Sequence, residues 1–141
     1  MGAEPQRGNR LLPHTADVIV EAWGPDDLAC AEEAAQALID ICVSGKPDPA
    51  AESVVSTIDC LPNDLIRTVL EEVVFALDTS ELAPVSAHVV RQADSDIALH
   101  LGLAPREAVK LAGAAPKAIV MMPSTPVDGA EFVRCRFIVD V

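Results

Sequence analysis

The sequence predicts an α+β fold: one two-layer domain, a mixed β-sheet with two helices packed on one face. Three observations predict it. Apolar residues alternate over 18–23 and again over 133–141, the period of a strand. Apolar residues recur at three and four over 28–43 and 66–77, the period of a helix. Half of the 141 residues are hydrophobic and only 3% are aromatic, so the core is built from Val, Ile, Leu and Ala. That length suits a single domain.

Residues 1–10 read as a flexible N-terminal tail and residues 11–141 as the single domain. In the strand 18–23, Val18, Val20 and Ala22 face one way and Ile19, Glu21 and Trp23 the other. Gly24-Pro25-Asp26-Asp27 ends it, and Asp26 or Asp27 caps the helix that follows. The stripe of this helix is Leu28, Ala31, Ala35, Leu38 and Cys42, with Ile41 beside it. The stretch 44–50, with two prolines and a glycine, is a loop. Residues 53–60 read as a strand. Asn63 or Asp64 caps a second helix, whose stripe is Ile66, Val69, Leu70, Val73, Val74 and Leu77. Its β-branched residues lower helix propensity, so packing must hold it. Residues 85–91 and 96–102 form a hairpin pair joined by a polar turn. The stretch 105–115 fits a helical turn or an irregular strand. Residues 117–122 make a short strand, and Asp128-Gly129 turns the chain into the last one.

Ten basic residues face 22 acidic ones, a formal charge of -12. Direct nucleic-acid binding, which needs a basic footprint, is not expected. A basic protein partner or bound cations are compatible with it. The four cysteines, 30, 42, 60 and 135, show no zinc-ligand spacing and read as free thiols of a reducing compartment. The N-terminus lacks the apolar core of a signal peptide, and no apolar run reaches membrane-spanning length, so a cytoplasmic location is expected.

The chemistry of the chain concentrates in acids at strand ends. Asp17 precedes the first apolar strand, and Asp140 sits one residue from the C-terminus, beside the carboxylate of Val141. If those strands are neighbours, three acidic groups converge, and like charges at that range call for a proton or a cation. Such an oxygen-rich cluster suits Ca²⁺, Mg²⁺ or Mn²⁺ rather than zinc. The plainer alternative is that Asp17 caps a turn and Asp140 is a solvated end. His14 serves as a ligand, a proton carrier, or a ring bonded to Asp17 or to backbone. His88 and His100 read as sheet-face residues. Lys117, at the start of a short apolar strand, either snorkels or meets the acids. Arg134 and Arg136 lie on the side of Asp140 and suit Glu21 or a partner's acids. There is no Gly-rich phosphate loop and no G-x-S-x-G.

His14-Thr15-Ala16-Asp17 resembles the H-T-A-D motif of the archease family. The resemblance runs over about residues 11–141. It takes in the aliphatic strand after the motif, the Asp26-Asp27-Leu28 start of the first helix and the Leu70-Glu71-Glu72 centre of the second. It continues through Lys117-Ala118 and ends in Phe137-Ile138-Val139-Asp140-Val141. It implies an archease-like two-layer domain and an accessory protein, not an enzyme. Such a protein activates an RtcB-type RNA ligase, promoting guanylylation of the ligase histidine and multiple turnover in tRNA splicing. The resemblance also implies a divalent metal site, Ca²⁺ first, held by Asp17, Asp140 and Val141. His14 and Lys117 then support the site or touch the partner. The alternative is an adaptor or chaperone-like binding module without metal-dependent activation. A stand-alone phosphohydrolase lacks a positioned nucleophile in this sequence. The chain departs from the family's pattern at Ile19, where glycine is usual. It departs again at Val120, Met121 and Met122, where the family usually carries T-Y-H.

Overall fold

The computed structural model describes residues 6–12, 18–47, 52–79, 81–112, 116–123 and 132–140. Within them the chain runs β1 (Gly8–Leu12), β2 (Val18–Gly24), α1 (Asp27–Cys42), β3 (Val43–Ser44) and β4 (Glu52–Ile58). A 3-10 turn (Pro62–Asp64) leads into α2 (Leu65–Thr79), then β5 (Leu82–Arg91) and β6 (Ile97–Pro105). A second 3-10 turn (Arg106–Ala108), β7 (Lys110–Leu111), β8 (Ala118–Met122) and β9 (Val133–Asp140) complete it. The class is α+β, as the periodicities predict, with two major helices and antiparallel sheets.

The sheet is not one mixed sheet. The described strands divide into a four-stranded sheet ordered β1-β2-β9-β8, a three-stranded sheet ordered β4-β6-β5, and the short pair β3-β7. Every pairing is antiparallel. The reason β5 adds no further strand lies on α1. Gln36 Oε1 accepts from the Ala87 N–H at 3.1 Å while its Nε2 donates to the Val85 carbonyl at 3.3 Å. Glu32 Oε1 accepts from the Val89 N–H at 2.9 Å. Helix side chains thus occupy the edge groups of β5, a row that would otherwise invite another strand. Periodicity along one segment carries no sign of this, because it depends on which edge a distant helix reaches.

Asp26 caps α1, its carboxylate accepting from the Ala29 N–H at 2.8 Å. The apolar stripe of α1 is buried, including Cys30, Ala31, Ala35, Leu38 and Cys42. α1 packs on β2, β5 and α2 and touches β1 and β9, while α2 reaches β4, β5 and β8. Ala-rich α1 lets these layers approach closely, since its core face carries little side-chain volume. One continuous core results, with Val20, Ala22, Phe137 and Val139 from one sheet and Val89, Leu99 and Leu101 from the other. None of the described helices is long and apolar enough to cross a membrane.

Residues 8–10 correct the expected tail: they belong to β1, which pairs with β2 from Gly8↔Trp23 to Leu12↔Ile19. Five residues with a single polar-apolar switch carry too short a pattern to announce a strand. Gly8 is required here, because a Cβ at that position would lie 2.7 Å from Trp23 Cζ2.

Candidate functional site at the shared end of β2 and β9

β2 and β9, about 110 residues apart in sequence, are hydrogen-bonded neighbours, paired from Gly24↔Val133 to Val18↔Val139. Because they run antiparallel, the chain entering β2 and the chain leaving β9 meet at the same end of the sheet. Their alternation separates two faces, as the sequence predicts. Val20, Ala22, Cys135, Phe137 and Val139 are buried in the core. Glu21, Arg134, Arg136, Ile138 and Asp140 carry the opposite parity.

Asp140 closes β9, exposed, opposite Ala118 of β8. Its carbonyl accepts the Lys117 N–H at 2.7 Å. The backbone of Lys117 is therefore fixed beside Asp140, with its side chain exposed. His14, Asp17 and Val141, the other residues named from the sequence, lie outside the described residues. Among the described residues no three His, Cys, Asp or Glu side chains stand close enough to hold a metal ion.

One turn of pleat further along, the same face carries a charge cluster that the sequence announces only in part. Glu21 is buried, with 6% of its surface exposed. Its Oε2 accepts from Arg136 Nε at 2.7 Å, and its Oε1 meets Arg134 Nη1 at 3.3 Å and Arg10 Nε at 3.0 Å. The guanidinium carbons of Arg10 and Arg134 stand 4.7 and 5.5 Å from the centroid of the Trp23 ring. The expected pairing of Arg134 and Arg136 with Glu21 is present. Arg10 falls within the expected tail, and only the strand register brings it opposite Glu21. This cluster stiffens β1, β2 and β9 close to their acidic end, since three donors hold one desolvated carboxylate.

The cysteines are free: Cys30, Cys42 and Cys135 are buried and Cys60 partly exposed. Cys30 Sγ donates to the Ala22 carbonyl at 3.5 Å, with the Cys135 thiol as its neighbour. The neighbouring Cys135 and burial push the Cys30 thiol far up.

The structure is thus a small α+β domain with an exposed carboxylate, Asp140, at the end of a strand, in a chain of formal charge -12. The chain belongs to the archease family: residues 10–141 match the model of the Archease protein family (MTH1598/TM1083). It is 28% identical over 135 residues to the probable protein archease of Mycobacterium tuberculosis, strains CDC 1551 / Oshkosh and ATCC 25618 / H37Rv, covering 95% of this chain and 75% of each relative. Its fold resembles the solution structure of Methanobacterium thermoautotrophicum protein 1598, with a TM-score of 0.68 at 22% identity. That match covers 95% of this chain and 99% of the other. With the family comes its general role, the activation of an RNA ligase.

Proposed function

We propose that this protein activates an RtcB-type RNA ligase without performing catalysis of its own, through an acidic divalent-metal site at the shared end of β2 and β9. The observation that carries this reading is the pairing of those strands up to Val18↔Val139. It meets the one structural condition the sequence set for convergence. In sequence, Asp17 immediately precedes the last described pair of this ladder and Asp140 immediately follows it.

The donor set fits a hard cation. Asp140 is an exposed carboxylate at a strand end, and the proposed companions are oxygen donors too. Asp17, Asp140 and Val141 would hold the ion, Ca²⁺ first and Mg²⁺ or Mn²⁺ as substitutes. Bound there, the ion supplies neutralisation of developing phosphate charge where the ligase histidine attacks GTP. The chain's own residues set the stage. The β2-β9 ladder holds the strand that carries Asp140 against β2, and the Lys117 N–H holds the Asp140 backbone in place. The exposed Lys117 ammonium stands ready for phosphate or for the acids. His14 orients Asp17 or touches the ligase. The formal charge of -12 steers the acidic tip toward a basic cleft.

The test mixes the protein with its cognate RtcB-type ligase, GTP and a divalent ion. Histidine guanylylation and multiple-turnover joining are read for wild type, Asp17→Ala and Asp140→Ala. Both variants keep their fold and lose stimulation. Equal stimulation by all three removes the site. Ligase binding without any effect of either substitution favours an adaptor instead.

A further inference from the structure

We propose that the groove between α2 and β8 receives an extended, arginine- or lysine-bearing segment of the ligase, with the side chain of Phe75 as its anchor. This inference rests on the ligase-activator reading and adds the contact surface to it. The groove has a volume of about 680 Å³ and is lined by Glu71, Val74, Phe75 and Asp78 of α2 and by residues 116–119 at the start of β8.

Three features define its occupant. Glu71, Phe75 and Asp78 stand at i, i+4 and i+7, so they form one stripe along α2. Phe75 is 65% exposed, in a chain that has only three phenylalanines and one tryptophan. An aromatic face with a carboxylate one turn before it and another one turn after it is a receptor for a cation. The ring quadrupole and both carboxylates attract the same guanidinium or ammonium. Lys117 on the facing wall repels a cation and so directs it to the α2 side. Glu71 already meets Arg67 at 3.7 Å. That is a loose, exposed pair of the kind a better-placed guanidinium displaces.

The second feature is backbone. β8 is an outer strand of its sheet, ordered β1-β2-β9-β8, and no described strand pairs its other edge. An extended segment can add there through main-chain hydrogen bonds while its alternate side chains enter the groove. The edge of β5, by contrast, is taken by Gln36 and Glu32.

The third feature is continuity. The groove begins at Lys117, whose N–H bonds the Asp140 carbonyl. A segment lying in it therefore extends directly from the proposed ion-bearing end. A chain of formal charge -12 also selects a basic counterpart. Affinity thus resides in the groove, and activation in the acids beside it.

The experiment compares wild type, Phe75→Ala, Phe75→Trp and the double variant Glu71→Gln/Asp78→Asn against the purified cognate ligase. Binding is read by calorimetry and stimulation by a guanylylation titration. Circular dichroism checks that each variant is folded, as exposed positions allow. Phe75→Ala and the double variant each weaken binding by about ten-fold, the loss expected of an anchor residue, and leave the stimulation plateau at saturation unchanged. Phe75→Trp keeps wild-type affinity, because the larger ring binds cations at least as well. Added salt weakens wild type more than the double variant. Binding within two-fold of wild type for both groove variants overturns the proposal, as does a ligase that does not bind at all. If groove-dependent binding occurs without stimulation, the activator reading fails while the docking surface stands. If stimulation occurs with groove-independent binding, the reverse holds.

Discussion

Arg136 Nε donates to Glu21 Oε2 at 2.7 Å across the pairing of β9 with β2. The acceptor is nearly sealed from water, while Arg136 itself remains half-exposed. With Arg10 and Arg134 on the other oxygen, one carboxylate bridges three guanidiniums and offsets part of their mutual repulsion.

Removing that carboxylate leaves the three cations facing one another beside the core. Glu21→Gln is expected to lower folding stability by about 1–3 kcal/mol, less than a fully buried pair because the arginines are partly solvated. The midpoint of urea unfolding measures it. Salt should narrow the gap between variant and wild type, since screening relieves the repulsion. A midpoint identical to wild type would show the cluster to be ornamental.

Gln36→Ala exposes the Ala87 N–H and the Val85 carbonyl of β5 together. The expected cost is about 1–3 kcal/mol, the range for leaving partly buried backbone groups unpaired. The local signature is faster amide exchange at Ala87, while Leu99 and Leu101 in the middle strand stay protected. Unchanged exchange at Ala87 would mean that water or another group serves that edge equally well.

Calorimetric titration with Ca²⁺ gives a direct reading of the proposed ion site, independent of any ligase. Asp140→Asn and Asp17→Asn should each reduce affinity by at least about ten-fold, since each removes a charged oxygen ligand. Lys117→Ala should leave affinity equal or higher, because it removes a cation from beside Asp140. Binding that survives both aspartate substitutions would place the ion elsewhere.

The buried thiols give a pH dependence with a defined sign. Burial holds Cys42 above its ordinary value of 9.0, and Cys30 is pushed up by Cys135 and by burial. The folded state therefore keeps these protons where the unfolded state releases them. Unfolded chains bind fewer protons above about pH 9, so stability falls as pH rises past that point. Cys135 is shifted the opposite way by its neighbour Cys30 and offsets part of the effect. Cys42→Ala should flatten the decline between pH 8.5 and 10, measured by urea unfolding. In native protein at pH 8, Cys60 should be the first thiol to react with a disulfide reagent, being the most exposed of the four.

The helices were legible because an amphipathic stripe repeats over three or four turns and is closed by Asp26 or by the Pro62 turn. The faces of β2 and β9 were legible because alternation fixes parity whatever the partner. Asp17, Asp140 and Val141 could be named from the sequence, as acids at strand ends and through the family resemblance. Arg10 could not be tied to Glu21, because its strand is short and the pairing is set by register. Nor did Leu70-Glu71-Glu72 show that Glu71, Phe75 and Asp78 would line a groove.

The sequence by itself determined the two helices and the longer strands, the parity of β2 and β9, the acidic charge and the motif-bearing ends. These are local properties, readable from period and residue type along one stretch of chain. The tertiary structure decided that β2 lies beside β9, that three arginines converge on Glu21, that α1 closes the edge of β5, and that α2 and β8 leave a groove open. Each of those joins segments far apart in sequence, and their contact depends on which surfaces the whole core buries together, not on any segment's own preference.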